Sequence, residues 1–301
     1  MIRPVGFPSL PENFEYETEV IQSTDGQHGI FMNWYKKRDV ALNQAKPKRA
    51  LLVLHGQGEH GGRYQHFAHY LQGEYDLILA PDLRGHGRSE GIRGHVVNFD
   101  EYVDDALLAW ETIRSKAGSA ALCDWFGHSM GGTISLRALT YRSDLGIRNL
   151  ILSAPCLKLA LAVPPIKEMA AMLLAKVWGS LALNTGLDAK KLSRDPAVVK
   201  VVQTDQLNHQ WATSQFYLSF QKTMTALREN DLVVPRDTRV LFQLAGEDEI
   251  VSTPESQNFF EKHLISDKKK LIVYLGLYHE IYNELTKDHV FEDLVSWLHE
   301  K

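Results

Sequence analysis

The chain of 301 residues, with 44% hydrophobic and 23% charged residues, has material for a sizeable core and a composition that argues against long disorder. A formal net charge of −4, with basic runs no longer than Lys268-Lys269-Lys270, points away from nucleic acid as a partner, and that run reads as a solvated turn. Cys123 and Cys156 lie in apolar surroundings without metal-ligand spacing and read as reduced, buried thiols.

The N-terminal segment MIRPVGFPSLPENFEYE carries prolines and acids where a signal peptide needs an apolar core, so a cytoplasmic address is expected. Phe14 to Ile21 and Ile30 to Lys36 alternate around a turn at Asp25-Gly26 and read as a hairpin. The pattern then changes to short apolar runs separated by helical periodicity. Ala50–Leu54 is followed by a helical face of Tyr64, Phe67, Ala68 and Leu71. Leu77–Ala80 is followed by a face of Val103, Ala106, Leu107, Trp110 and Ile113. Ala121–Phe126 leads into a helix from about Gly131 to Tyr141, and Leu150–Leu152, Val240–Leu244 and Leu271–Leu275 complete the set. Strands apolar on both faces, alternating with amphipathic helices, predict an α/β fold with a mostly parallel central sheet covered on both sides. Ligands of such sheets bind beyond the carboxyl ends of the strands.

The alternation breaks from Pro155 to Leu232, where no clear strand is legible. Residues 1–154 and 233–301 therefore read as the core and 155–232 as a helical cap inserted into it. The cap is dense in apolar residues, among them Met169, Met172, Leu173, Leu174, Val177, Trp178, Trp211 and Phe216. Its inner face is expected to line an apolar substrate pocket, with Met172 and Trp178 among the contacts. The stretch Ile166 to Leu183 carries Lys167, Glu168 and Lys176 and does not read as a membrane span.

Gly127-His128-Ser129-Met130-Gly131 joins a strand directly to a helix. So sharp a turn forces the central residue into a cramped backbone conformation, and the residues two positions away must be small. It lifts the serine hydroxyl to the start of a helix, where an oxyanion can be stabilised. Ser129 is thus the expected nucleophile, and a serine at this elbow excludes the chemistry that uses an aspartate there. A serine needs a base, and the base an orienting acid, each just after a later strand. His279 follows Leu271–Leu275, and Asp248, preferred over Glu247 and Glu249, follows Val240–Leu244. The oxyanion donors are expected to be the N–H groups of Met130 and of Gln57, in the glycine-rich loop after Ala50–Leu54. His55 and His60 in that loop read as hydrogen-bonded loop histidines rather than metal ligands. No metal and no cofactor is called for.

Together, HGQGEHGGRY, PDLRGHGRSEG and GHSMGG resemble the monoacylglycerol lipase and lysophospholipase branch of the α/β-hydrolases, a group also filed with serine aminopeptidase-type hydrolases. The resemblance runs from about Ser23 onward and is weakest in the cap. It implies the α/β-hydrolase fold, Ser129, Asp248 and His279 as the triad, and Gln57 with Met130 as the oxyanion donors. It also implies that Glu59 and Arg63 shape the pocket for the alcohol; a structural ion pair beneath the loop is the other reading of those two residues. Some monoacylglycerol lipases carry a second histidine shortly after the catalytic one, in the glycerol pocket. The corresponding position is Tyr282, within a YHEI pattern closer to bacterial lysophospholipase-type sequences.

The expected activity is hydrolysis of an ester bearing one long acyl chain and a small polar head, a small-molecule lipid partner that an apolar cap could meet transiently at a membrane surface. Two alternatives compete. A prolyl aminopeptidase would need carboxylates to hold the substrate ammonium, and Asp188, Asp195 and Asp205 lie in the cap. A catalytically silent ligand-binding protein of the same fold is the other.

Overall fold

Runs that are apolar at every position become the middle of a sheet because alternate side chains pass to opposite faces, and both faces are covered. The computed structural model describes residues 8–160 and 165–300, with 165–168, 170 and 174 described by backbone alone. The first seven residues of the N-terminal segment and the side chains of Lys167, Glu168 and Leu174 therefore lie outside the described residues. In chain order the strands are β1 (Phe14–Gln22), β2 (Gly29–Lys37), β3 (Arg49–Leu54), β4 (Leu77–Pro81), β5 (Leu122–His128), β6 (Asn149–Ser153), β7 (Ala182–Asn184), β8 (Trp211–Thr213), β9 (Leu232–Val233), β10 (Arg239–Ala245), β11 (Leu264–Ile265) and β12 (Lys269–Tyr274). The helices are α1 (Arg38–Ala41), α2 (Gln65–Tyr70), α3 (Asp100–Ala117), α4 (Met130–Tyr141), α5 (Pro165–Trp178), α6 (Pro196–Thr204), α7 (Ser214–Glu229), α8 (Thr253–Lys262) and α9 (Lys287–His299).

Eight strands form one sheet in the order β1-β2-β4-β3-β5-β6-β10-β12. The hairpin β1–β2 is antiparallel, β2 meets β4 antiparallel, and the six strands from β4 to β12 run parallel. Alternation within each strand feeds two cores. Leu52, Leu54, Trp125, Leu150, Leu152 and Phe242 pack with α3 and α4 on one face. Leu51, Val53, Ile78, Phe126, Ile151 and Leu241 pack with α2 and α9 on the other. Each such side chain contributes about 1.5–3 kcal/mol when fully buried, so the register of the inner strands is strongly specified.

The predicted helical faces are where the periodicity put them, with Tyr64 in a 3₁₀ turn (Gly61–Tyr64) that leads into α2. Two expectations need correction. The segment from Pro155 to Leu232 is not free of strand: β7 and β8 pair antiparallel over three residues each. Lys268-Lys269-Lys270 is not simply a turn, because Lys269 and Lys270 begin β12. Lys269 Nζ donates to the carbonyls of Phe260 in α8 and Leu264 in β11, and Lys270 pairs with Glu300 (2.5 Å). Both cysteines are free and buried. Among the described residues, no helix is long and apolar enough to cross a membrane.

Candidate active site

The loops that follow β3, β5, β10 and β12 carry the expected site residues, and all leave the carboxyl edge of the parallel strands. After β5 the backbone turns at Ser129 (φ 52°, ψ −116°) straight into α4. An L-residue held in such a conformation costs on the order of 1–3 kcal/mol, and the surroundings must impose it. The Ser129 N–H donates to Ser153 O (3.0 Å), while its carbonyl accepts from the N–H groups of Gly132, Thr133 and Cys156. The flanking glycines are required. A methyl on Gly127 would lie 2.6 Å from Gly131 O, and one on Gly131 would lie 2.3 Å from Leu54 O. A methyl on Gly56 would come within 3.2 Å of Ser129 Cβ, so the loop after β3 passes directly over Ser129. No hydrogen bond from the N–H of Gln57 or of Met130 to a described residue is present, which leaves both donors for a ligand.

His279 Nδ1 meets Asp248 Oδ2 at 2.7 Å, and both side chains are almost fully buried. Glu247 and Glu249 stay exposed, and Glu249 pairs instead with Lys191 (2.8 Å). Asp248 is fixed from behind: its Oδ1 accepts the N–H groups of Ile250 and Val251, both at 2.8 Å. Burial alone would depress the His279 pKa, but the Asp248 carboxylate outweighs it, and Glu280 and Glu59 push the same way. The imidazole is therefore held above its ordinary value. Burial works against the Asp248 carboxylate too, yet His279 and the two N–H groups hold it below the usual range. The His279 ring centre lies 4.8 Å from that of His128, the residue before Ser129. Burial, with His279 beside it, drives His128 down to about 3, so that ring is neutral.

Glu59 and Arg63 are buried in one network with a third residue. Arg63 Nη1 donates to Glu59 Oε2 (2.6 Å) and Glu280 Oε1 (2.8 Å), and its Nη2 donates to Glu280 Oε2 (2.6 Å). Glu59 Oε1 accepts the Gly56 N–H (2.6 Å) and the Tyr64 hydroxyl (2.9 Å). Glu59 and Arg63 thus form a buried ion pair. Glu280 was not singled out from the sequence. Its partner stands 217 positions upstream, and only the carboxylate adjoining His279 in sequence hinted at it.

Tyr282 is almost fully buried. Its ring packs among Phe67, Phe126 and Phe291, and its hydroxyl donates to Gln243 Oε1. A 3₁₀ turn (Ile281–Asn283) directs it into the core beneath the sheet. Met172 and Trp178 on α5 are 51% and 61% exposed, so neither is walled into a closed pocket. Gln57 also holds its surroundings through its side chain, whose Nε2 donates to Trp211 O (2.9 Å) while its Oε1 lies 3.1 Å from His86 Nε2. His55 Nδ1 lies 2.7 Å from Gly56 O and its Nε2 accepts from Leu83 N–H (2.9 Å); His60 Nε2 pairs with Asp205 (3.0 Å). Among the described residues, no cluster of three or more histidine, cysteine or acidic side chains is arranged to hold a metal ion.

Residues 45–286 match the family described as serine aminopeptidase, S33. The chain is 31% identical over 274 residues to a monoacylglycerol lipase of Mycolicibacterium smegmatis, covering 86% of this chain and 91% of the relative. It is 30% identical over 251 residues to phospholipase YtpA of Bacillus subtilis, covering 82% and 93%. Of a longer Dictyostelium discoideum relative, an uncharacterized abhydrolase domain-containing protein, the chain spans only 27%. The crystal structure of a Paleococcus ferrophilus monoacylglycerol lipase superposes with a TM-score of 0.72 at 30% identity, covering 83% of this chain and 93% of that one. The elbow after β5, the parallel sheet and these likenesses agree: the chain is an ester hydrolase of the α/β-hydrolase fold, belonging to the serine aminopeptidase S33 family in its monoacylglycerol lipase and lysophospholipase branch.

Proposed function

We propose that the chain hydrolyses carboxylic esters bearing one long acyl chain and a small polar head, by way of an acyl-enzyme on Ser129. Ser129 Oγ attacks the carbonyl carbon while His279 takes its proton and Asp248 holds the imidazolium. The N–H groups of Gln57 and Met130 receive the oxyanion. The intermediate collapses with loss of the alcohol, which leaves with the proton from His279. Water, deprotonated by His279, then attacks the acyl-enzyme and releases the fatty acid. The carrying observation is that a strained serine, a His–Asp pair 2.7 Å apart and two unused N–H donors converge at one edge of the sheet.

We read residues 155–232 as the cap. Met169, Met172, Leu173, Val177 and Trp178, all exposed along α5, support acyl-chain contact there and a transient rest on a lipid surface. Both terminal nitrogens of Arg63 are engaged by carboxylates, which favours an uncharged head over a phosphate. The peptidase alternative has little support from the cap acids. Asp188 caps a 3₁₀ turn and Asp195 caps α6, accepting from Lys190 N–H and Ala197 N–H, and Asp205 holds His60.

A panel of monoacylglycerols, lysophospholipids, short p-nitrophenyl esters and a prolyl amide tests the reading. Monoacylglycerols and the simple esters should be cleaved, lysophospholipids less well, and the prolyl amide not at all. Ser129→Ala should lower turnover by about 10³-fold or more and abolish labelling by a fluorophosphonate. Near-normal esterase activity in that variant would sink the mechanism. A folded wild-type chain that takes no label would point instead to a silent binding protein.

A further inference from the structure

Buried charges remain in a core only when every one is answered, and here three answer one another across two loops. Glu280 is the residue after the base His279. Both of its oxygens receive Arg63, and its Oε2 also accepts from Asn283 Nδ2 (2.8 Å). Its own N–H is anchored to Leu192 O (2.8 Å). Arg63 passes on to Glu59, and Glu59 to the N–H of Gly56, the residue before Gln57. None of the three side chains is more than 8% exposed. An unbroken run of hydrogen bonds, 2.6–2.8 Å long, thus joins the loop of the base to the loop of the oxyanion donor.

We propose that Glu280 is a positioning residue of the hydrolytic site, bracing through Arg63 and Glu59 the loop that carries His279 against the loop that carries Gln57. The brace rests on the reading of Ser129, His279 and Asp248 as the triad. Its function is geometric. The base and the oxyanion donors sit on separate loops after β12, β3 and β5, and the reaction needs both at one carbonyl at once. A bidentate guanidinium fork fixes two directions, which a point charge does not.

The charged and titratable groups around the neighbouring imidazoles of His279 and His128 are Asp248, Glu280, Glu59 and Arg63. Removing the Glu280 charge leaves His279 with less negative surroundings, so its proton is held less tightly and the acid limb of kcat/KM moves to lower pH. Glu280→Gln should therefore lower kcat about tenfold or more, keep KM within about threefold, and shift the acid limb down by about half a unit or more. Arg63→Lys keeps the charge but loses the fork; it should lower kcat similarly and leave the acid limb in place.

Both variants are compared with wild type in the full chain on a p-nitrophenyl ester, with thermal melting as the check of folding. A folded Glu280→Gln with wild-type kcat and an unmoved limb overturns the brace. So does Arg63→Lys with wild-type kcat, which decides the matter alone should Glu280→Gln not fold. Failure of wild type to take a fluorophosphonate is a different result, since it overturns the triad reading beneath the brace.

Discussion

A buried imidazole is a useful base only if its surroundings restore the proton affinity that burial removes. At His279 the Asp248 carboxylate does so from 2.7 Å, with Glu280 and Glu59 adding to it. With His279 as the proposed base the neutral imidazole is the active form, so a pKa held above the ordinary value of about 6.5 means that activity is lost early on acidification. The acid limb of kcat/KM should be centred above that value. Asp248→Asn should lower kcat by about 10⁴-fold and move the limb down, because the largest favourable charge is gone while burial remains. A rate profile measured from pH 5 to 9 checks both, and a wild-type limb well below 6.5 would contradict the assignment. The places of Ser129, Asp248 and His279 were legible because each directly follows an apolar strand, and a strand end is an address in space. Tyr282 and Glu280 were not legible. Three residues along a loop, one 3₁₀ turn sends Tyr282 into the aromatic core, and the Arg63–Glu280 pair joins residues that only the folded chain brings together.

At the scale of elements, the inserted segment meets two glycines of the core through its backbone. His209 N–H donates to Gly58 O (2.8 Å), and Thr213 N–H to Gly94 O (3.0 Å). Gly58 has φ +78°, and a methyl there would lie 2.3 Å from His209 O. The neighbouring Gln57 side chain reaches Trp211 O in the same segment, so its seating and the loop proposed to supply an oxyanion donor are linked. Gly58→Ala should push the segment off the loop and lower kcat about ten- to a hundredfold on a p-nitrophenyl ester. Gly26→Ala is the control. It has a similar φ of +69° but nothing within 4 Å, so it should show the backbone cost of about 1–2 kcal/mol in thermal melting and leave kcat unchanged. Equal kcat for Gly58→Ala and wild type would remove the link. The inner strands were legible because both faces are apolar. β7 and β8 were not, being three residues long, and β12 was partly hidden because it lies at the sheet edge, where lysines are tolerated and guard against pairing with another chain.

Over the whole molecule, the histidines make the fold vulnerable to acid. Burial, the largest cause in each case, lowers His55 and His209 to about 4, His66 and His128 to about 3, and His86 well below its ordinary value. The unfolded chain takes up these protons near pH 6.5 and the folded one does not. Their contribution to stability is thus present above pH 6.5 and lost as pH falls towards the folded values, by about 1.4 kcal/mol per histidine per pH unit. Asp82, Asp105 and Asp124 work partly against this, because burial raises their pKa and the folded state binds protons there first. His279, raised rather than lowered, also gains on acidification. These depressed histidines should outweigh such groups between pH 6.5 and 5, where carboxylates in the unfolded chain are still mostly ionised. His66 offers a test, since it packs edge-on against Phe67 and Phe291. His66→Phe gives up the contacts of its ring nitrogens with Arg63 O and Tyr282 O, so it should start less stable at pH 7. Its stability should then fall less steeply, by about 1.4 kcal/mol less per pH unit. Urea unfolding midpoints at pH 7, 6 and 5 compare the two chains. Parallel pH dependences would mean that His66 carries the same proton load folded and unfolded. A shallower slope for the variant would separate acid loss through the fold from acid loss through His279, which should return in full when the pH is raised.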